Sequence, residues 1–407
     1  MAIIREFRED DIDLIARLHQ EVFPPDSGPA PLAAYRTYFR DTFLSGPRAN
    51  SGFGSLVCEE RDGTLSGFLG VIPLRMALGG RPPHPAKPDA TSVIGGGDPR
   101  TPRPPHPATP DATSVIGGGD PRTPRPIWAA VCTQYCVAPG RRGMTGLELM
   151  RHHFAGPQDL SITDEANTVA MRLWSWAGGE AITSCSLHFM RPLRPAQLAL
   201  SLAQRPALAG VARCTSLLAR LLDSALARVP HSHFRQSLPP TLGEPLDAAA
   251  MAAALPELAR ERQLLPHYQL DALAWRLRRA ESIPGGDLER VLVRNRDGQI
   301  LGWYIYRRER DGTAQLLQLT APSEAARPVL DHLLYDAWRA GMIVLSGRLD
   351  PALAQAFSDC YCLFSRRGPW MLVHSRDPAL RQIFHRGQAL FSPLDGELCA
   401  RFNPPAS

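Results

Sequence analysis

Between Val137 and Leu147 the chain reads Val137-Ala138-Pro139-Gly140-Arg141-Arg142-Gly143-Met144-Thr145-Gly146-Leu147, and Leu147, Leu149, Met150 and Phe154 then recur at helical spacing. Glycines let a backbone approach a ligand closely, and a helix beginning here turns unpaired N–H groups outward beside two arginines. That combination can hold a pyrophosphate without a metal. Asp164 and Glu165 stand where a second strand, 160–163, gives way to a second helix, 167–177. They either attract an amine substrate or simply begin the helix, Asp164 as its N-cap and Glu165 in its first turn. Candidates for proton transfer are Glu59 and Glu60 at the end of another apolar run, and Tyr135 near the end of the run 127–137.

Composition removes several other chemistries. Of the 45 lysines and arginines only Lys87 is a lysine, so a phosphate-loop, Schiff-base or kinase lysine has no other source. The eight cysteines show no zinc spacing, and His152-His153 and His231-Ser232-His233 lack ligand companions, so no metal is predicted. A net charge of +5 over 407 residues is no dense basic stripe, and nucleic acid is not indicated. No apolar run reaches the roughly 18 residues of a membrane span. The N-terminus turns acidic at Glu9-Asp10, and the expectation is a cytoplasmic protein.

The elements that would position these groups are interrupted by a repeat. Residues 81–102 recur at 103–124 with Lys87 replaced by Thr109. The Pro/Gly-rich stretch 79–126 is expected to be a disordered insertion in a surface loop. Around it, apolar runs 54–60 and 67–74 form a hairpin through Asp62-Gly63, followed by strand 127–137, the basic loop, a helix, strand 160–163, helix 167–177 and strand 182–190. Residues 196–229 are Leu/Ala-rich, with Arg205, Arg213, Arg220 and Arg228 in one broad helical sector. They make either a connector with solvated arginines or a peripheral contact with an anionic membrane. The second half repeats the order: helices 247–262 and 271–280, a hairpin 288–307, strand 314–319, helix 325–340, strand 342–346, helix 350–357, and closing runs 370–374 and 397–402. The expected fold is α+β.

With these surroundings the basic loop resembles the pyrophosphate loop of the GNAT superfamily of acyl-CoA-dependent N-acyltransferases. Val137-x-Pro139 and Arg142-Gly143 fit that family's pattern, while Thr145 and Leu147 stand where small residues are usual. Asn167, Ala170, Leu173-Trp174 and Gly178-Gly179 resemble its next helix. The resemblance implies that backbone groups from Val137 and from Arg142, Gly143, Met144, Thr145, Gly146 and Leu147 receive an acyl-CoA, acetyl-CoA by default. It implies that Asn167 meets the CoA arm, and that Trp174 stands at or beside a tyrosine that often protonates the leaving thiolate. An indole cannot do so. The second half has the same element order, but its loop, 319–328, has no glycine and carries Glu324, which opposes a phosphate. The ending 391–398 looks like that of tandem GNAT-like proteins and Fem-type peptidyltransferases.

The implied architecture is two GNAT-like domains in tandem, each a mixed, mostly antiparallel sheet flanked by helices. Residues 1–195 bind acyl-CoA, 196–235 connect, and 236–407 bind no cofactor. The implied activity is acetyl transfer to a primary amine of a small molecule or amino sugar by direct attack. The alternatives are a non-catalytic GNAT-like binding protein and a Fem-like aminoacyl transferase.

Overall fold

The computed structural model describes residues 2–23, 31–46, 52–79, 125–141, 144–203, 212–230, 232–235 and 237–402. The expected insertion 79–126 falls almost wholly outside them, as do Arg142 and Gly143 of the basic loop.

The first half runs β1 (Ile3–Glu6), α1 (Ile12–Val22), α2 (Leu32–Phe39), β2 (Leu56–Glu59), β3 (Leu65–Leu78), β4 (Arg125–Val137), α3 (Met144–Phe154), β5 (Leu160–Ala166), α4 (Thr168–Ala177), β6 (Glu180–Ala181) and β7 (His188–Pro192). The β2–β3 hairpin closes where expected. Asp62 accepts the Thr64 N–H at 3.0 Å, and Gly63 supplies φ +78, a left-handed backbone that glycine adopts without strain. After α5 (Pro195–Ala203) and α6 (Ala212–Leu226) come β8 (Leu242–Pro245), α7 (Ala248–Leu258), β9 (Leu264–Pro266), α8 (Leu270–Glu281), β10 (Gly286–Arg294), β11 (Ile300–Glu309), β12 (Thr313–Thr320), α9 (Ala326–Arg339), β13 (Val344–Arg348), α10 (Ala354–Asp359), β14 (Leu363–Ser365), β15 (Trp370–His374) and α11 (Pro378–His385).

These strands build two sheets, ordered β1-β2-β3-β4-β5-β15-β6, with β9 on β3, and β14-β7-β13-β12-β11-β10-β8. Among the named strands, only β4–β5 and β12–β13 pair in parallel. Each sheet is therefore mixed and mostly antiparallel, and helices flank it, as the α+β tandem expectation requires.

One face of the first sheet buries Ile15, Tyr35, Phe39, Phe68 and Ile72 beneath α1 and α2. Its other face buries Leu149, Phe154 and Trp174 of α3 and α4. The second sheet packs Leu330 and Leu333 of α9 on one side and Met251, Leu255 and Leu277 of α7 and α8 on the other.

Three expectations change. The predicted strand 182–190 breaks at a 3-10 turn, Ser184–Ser186, leaving β6 in the first sheet and β7 in the second. Ser186 holds the crossing, donating to Ile182 O at 2.7 Å and accepting from Met371 N at 2.9 Å. In exchange, β15 from the second half enters the first sheet between β5 and β6. The Leu/Ala-rich connector is two helices in contact, because Asp223 of α6 caps the start of α5 by accepting from Ala196 N at 2.8 Å and Gln197 N at 3.0 Å. Finally, of the two closing runs only 370–374 is a strand, whereas 397–402 begins with a 3-10 turn, Glu397–Ala400.

Candidate active site

β4 and β5 pair over three rungs only, Ala129–Leu160, Ala130–Ser161 and Val131–Ile162. Both strands continue, β4 to Val137 and β5 to Ala166, so a gap opens between them. β4 is diverted by a bulge: its register with β3 shifts opposite Phe68–Gly70, and Gln134 takes φ +48. A non-glycine residue in that region costs on the order of 1 kcal/mol or more, so something must fix it. The Gln134 amide does: its oxygen meets His19 Nε2 of α1 at 2.6 Å, and its nitrogen donates to Ala400 O at 3.2 Å. His19 is buried, which pushes its pKa down and keeps the ring neutral. β5 is drawn away by its own register shift against β15.

The C-terminal tail fills the far side of the gap. Glu397 Oε1 accepts from the backbone N–H groups of Asp164 at 3.2 Å and Glu165 at 3.1 Å, and from the Thr163 hydroxyl. The Glu397 N–H in turn donates to Asp164 Oδ1 at 2.9 Å. Oε2 of Glu397 has no hydrogen-bond partner among the described residues. Asp164 Oδ2 meets Arg348 at 2.9 Å, both side chains being almost wholly buried. Burial pushes the Asp164 carboxyl up and the Arg348 charge opposes it. Burial, followed by the negative charges of Asp164 and Glu165, pushes Glu397 up to about 8. Further along the tail, Arg401 pairs with Glu165 at 2.6 Å. The Phe402 ring stacks on Tyr35 with centroids 4.1 Å apart, and Tyr38 donates to Ala400 O. From α8, Arg276 and Arg279 donate to Asp395 O and Cys399 O at 2.7 and 2.9 Å.

The loop candidates gather at the start of α3, where β4 ends. Val137 is buried, Pro139–Arg141 form a 3-10 turn, Met144 is exposed and Leu147 half-buried. Thr145 is buried with its methyl toward Gly67 of β3, 3.5 Å from where a Cβ would stand. Gly146 leaves room for Tyr135: a Cβ there would fall 2.2 Å from the phenol oxygen. Burial pushes the Tyr135 phenol well above its ordinary range.

Asn167 is the N-cap of α4, accepting from Ala170 N at 2.9 Å. This corrects the alternative that gave Asp164 to the cap: β5 runs through Asp164 and Glu165 to Ala166, and both carboxylates stand at the gap. Trp174 is core, edge-on to Phe154 at 5.0 Å. Glu59 ends β2 and Glu60 follows it, each facing an arginine. Arg5 takes Glu59 at 2.5 Å, and Arg141 stands 3.9 Å from Glu60.

Sequence reasoning missed Glu397, Arg348, His19 and Tyr38. His19 carried a faint signal, a polar residue on the apolar face of Ile12, Ile15 and Ala16. Glu397 and Arg348 meet β5 from positions more than 180 residues away, beyond any local pattern.

In the second sheet, β12 and β13 likewise pair over four rungs, from Thr313–Val344 to Leu316–Gly347, and then part. There the tail runs along the opening and leaves a cavity lined by Gln318, Leu319, Arg348, Asp350, Phe391 and Ser392: Gln318 donates to Ser392 Oγ at 3.1 Å and Arg348 to Phe391 O at 3.0 Å. Glu324, in the loop before α9, is paired with Arg260.

No protein-family model matches the chain, and no curated protein matches it in sequence. Solved structures do match. A GCN5-related N-acetyltransferase from Anabaena variabilis ATCC 29413 is 12% identical at a TM-score of 0.53, over 93% of this chain and 74% of that one. A protein of unknown function from Enterococcus faecalis V583, described as a probable N-acyltransferase, is 11% identical at a TM-score of 0.50, over 92% and 73%. At these identities the likeness is one of fold, and the chain carries a tandem GNAT-like fold whose first sheet opens at its parallel strand pair.

Proposed function

We propose that the protein is an acyl-CoA-dependent N-acyltransferase that moves an acyl group, acetyl by default, from the thioester to a primary amine of a small molecule. The observation that carries this reading is the gap between β4 and β5, with a helix start at one edge and a carboxyl group of raised pKa, Glu397, at the other. The donor's pyrophosphate lies against the first turn of α3. Thr145 is compatible with this because its side chain turns inward toward Gly67. Tyr135, kept protonated by burial, is available as a hydrogen-bond donor beside that turn.

In the reaction the amine nitrogen forms a bond to the thioester carbonyl carbon, and the carbon–sulfur bond breaks. Glu397 Oε2 takes the proton lost by the nitrogen, and the thiolate leaves to be protonated by solvent. A base whose pKa lies near the working pH is efficient, and positioning of amine and thioester supplies much of the rest. Glu165 adds negative charge on the side where an ammonium group would arrive. Asp164, bound to Arg348, positions the Glu397 backbone rather than touching substrate.

The test is calorimetric titration of the folded protein with acetyl-CoA and CoA, followed by measurement of thiol release with a panel of primary amines. Micromolar binding and amine-dependent CoA release are expected. A folded protein that binds neither thioester nor CoA overturns the reading.

A further inference from the structure

Helix α6 is built inside out. Among its described side chains those buried are Ala219, Asp223 and, just past its end, Ala227, whereas Leu217, Leu218, Leu221 and Leu222 are 50–69% exposed. These leucines stand at i, i+1, i+4 and i+5, so they share one face. A helix that packs alanine inward and presents four leucines outward has a partner for them.

Charge says which partner. Between Ala181 and Gly243 the chain has seven arginines and a single acid, Asp223, a net +6 against +5 for the whole protein, leaving the remainder at −1. Two of the seven, Arg191 of β7 and the half-buried Arg194, donate to backbone carbonyls, and the basic surface beside α6 rests on the exposed ones. Asp223 does not offset it at the surface, because its carboxylate is buried and accepts from the first turn of α5. Arg220, Arg228 and Arg235 are exposed.

We infer that the leucine face of α6 docks on an anionic lipid surface, the leucines entering the headgroup boundary and the flanking arginines meeting lipid phosphates. A second copy of the chain fits less well, since pairing through this face brings two basic stretches together with no acid to neutralise them. A nucleic acid has no use for the leucines.

The experiment is co-sedimentation of the full chain with vesicles of phosphatidylcholine alone and with about a third phosphatidylglycerol, at salt near 0.1 M and at several-fold higher salt. Binding is expected only to the anionic vesicles, and high salt should weaken it. Leu218→Asp with Leu221→Asp should abolish it. Arg220→Gln with Arg228→Gln should weaken it roughly 25-fold, at about five-fold per arginine near a charged membrane. All four positions are exposed, so an unchanged thermal melt establishes that the variants are folded. Equal binding to both vesicle types, no binding, or self-association in sedimentation velocity that the leucine variant abolishes would each overturn the inference, the last in favour of a second copy.

Discussion

Replacing Glu397 with glutamine tests the protonation state on which the proposed chemistry depends. The amide keeps an oxygen to accept from Thr163 and from the Asp164 and Glu165 N–H groups, so the tail contacts survive while the titration is removed. In the folded chain the carboxyl is pushed from the ordinary 4.5 to about 8, which makes the folded state the tighter proton binder. Its contribution to stability is then fully present below about pH 4.5, declines as pH rises and is gone above about pH 8. At 1.36 kcal/mol per unit the decline amounts to roughly 3–5 kcal/mol. Urea unfolding of wild type and Glu397→Gln across that window should show the two alike below about pH 4.5 and the wild type falling below the variant as pH rises. The same carboxyl accepts protons from substrate only once it has lost its own, so kcat should rise with pH toward about 8. A hydrazide acceptor, neutral throughout, assigns that limb to the protein rather than to the amine. The groups around this carboxyl, namely Asp164, Glu165, Arg348, Arg401, Asp395, Arg279, Tyr38 and Cys132, remain in place in the variant, whose turnover should fall about 10²–10⁴-fold. Superimposed stability profiles would refute the raised pKa. Retained turnover with a flattened stability profile would remove Glu397 from the chemistry and leave the fold argument standing.

Two further perturbations address the framework. Arg348→Met leaves Asp164 buried without its counter-charge and should cost about 3–5 kcal/mol in urea unfolding; adding Asp164→Asn should recover part of that loss, whereas additive costs would show that the pair is not coupled. Gly146→Ala puts a methyl 2.2 Å from the Tyr135 hydroxyl oxygen and should cost about 1–3 kcal/mol. Because only that oxygen stands in the way, Tyr135→Phe should relieve most of the cost, and an equal cost in both backgrounds would place the strain elsewhere.

The local elements were legible because their signals are local. Asp62-Gly63 specifies a turn, the apolar run ending at Val137 specifies a strand, and the spacing of Leu149, Met150 and Phe154 specifies the buried face of α3. The strand exchange was not legible. Residues 182–190 read as one strand because apolar periodicity reports burial and cannot report which of two sheets supplies it. The site was half legible for the same reason. Asp164, Glu165, Tyr135 and the α3 start carry a recognisable order along the chain, whereas the tail's Glu397 and Arg401 acquire meaning only through β5, more than 200 residues earlier. Glu59 was attractive as an acid at a strand end, yet Arg5 on the neighbouring β1 already pairs with it.

The two sheets are alike in plan, each opening beyond a short parallel strand pair. In the second sheet the space beyond the β12–β13 pair is narrowed to a cavity bordered by Phe391 and Ser392, which Arg348 and Gln318 hold. Tyr268 and the Ser392 hydroxyl both donate to Asp395, at 2.9 and 2.7 Å, and fix the next turn of the tail. That anchoring directs residues 397–402 onto β5 and Gln134 of the first sheet. Arg348 acts at both ends, donating to Phe391 O and to Asp164, and so ties the two gaps together. The second half thus supplies the first with a strand, β15, with a counter-charge and with a carboxyl group. On the proposed reading neither half holds all of the site's groups, and separating them near residue 195 would take β7 from one sheet and β15 from the other.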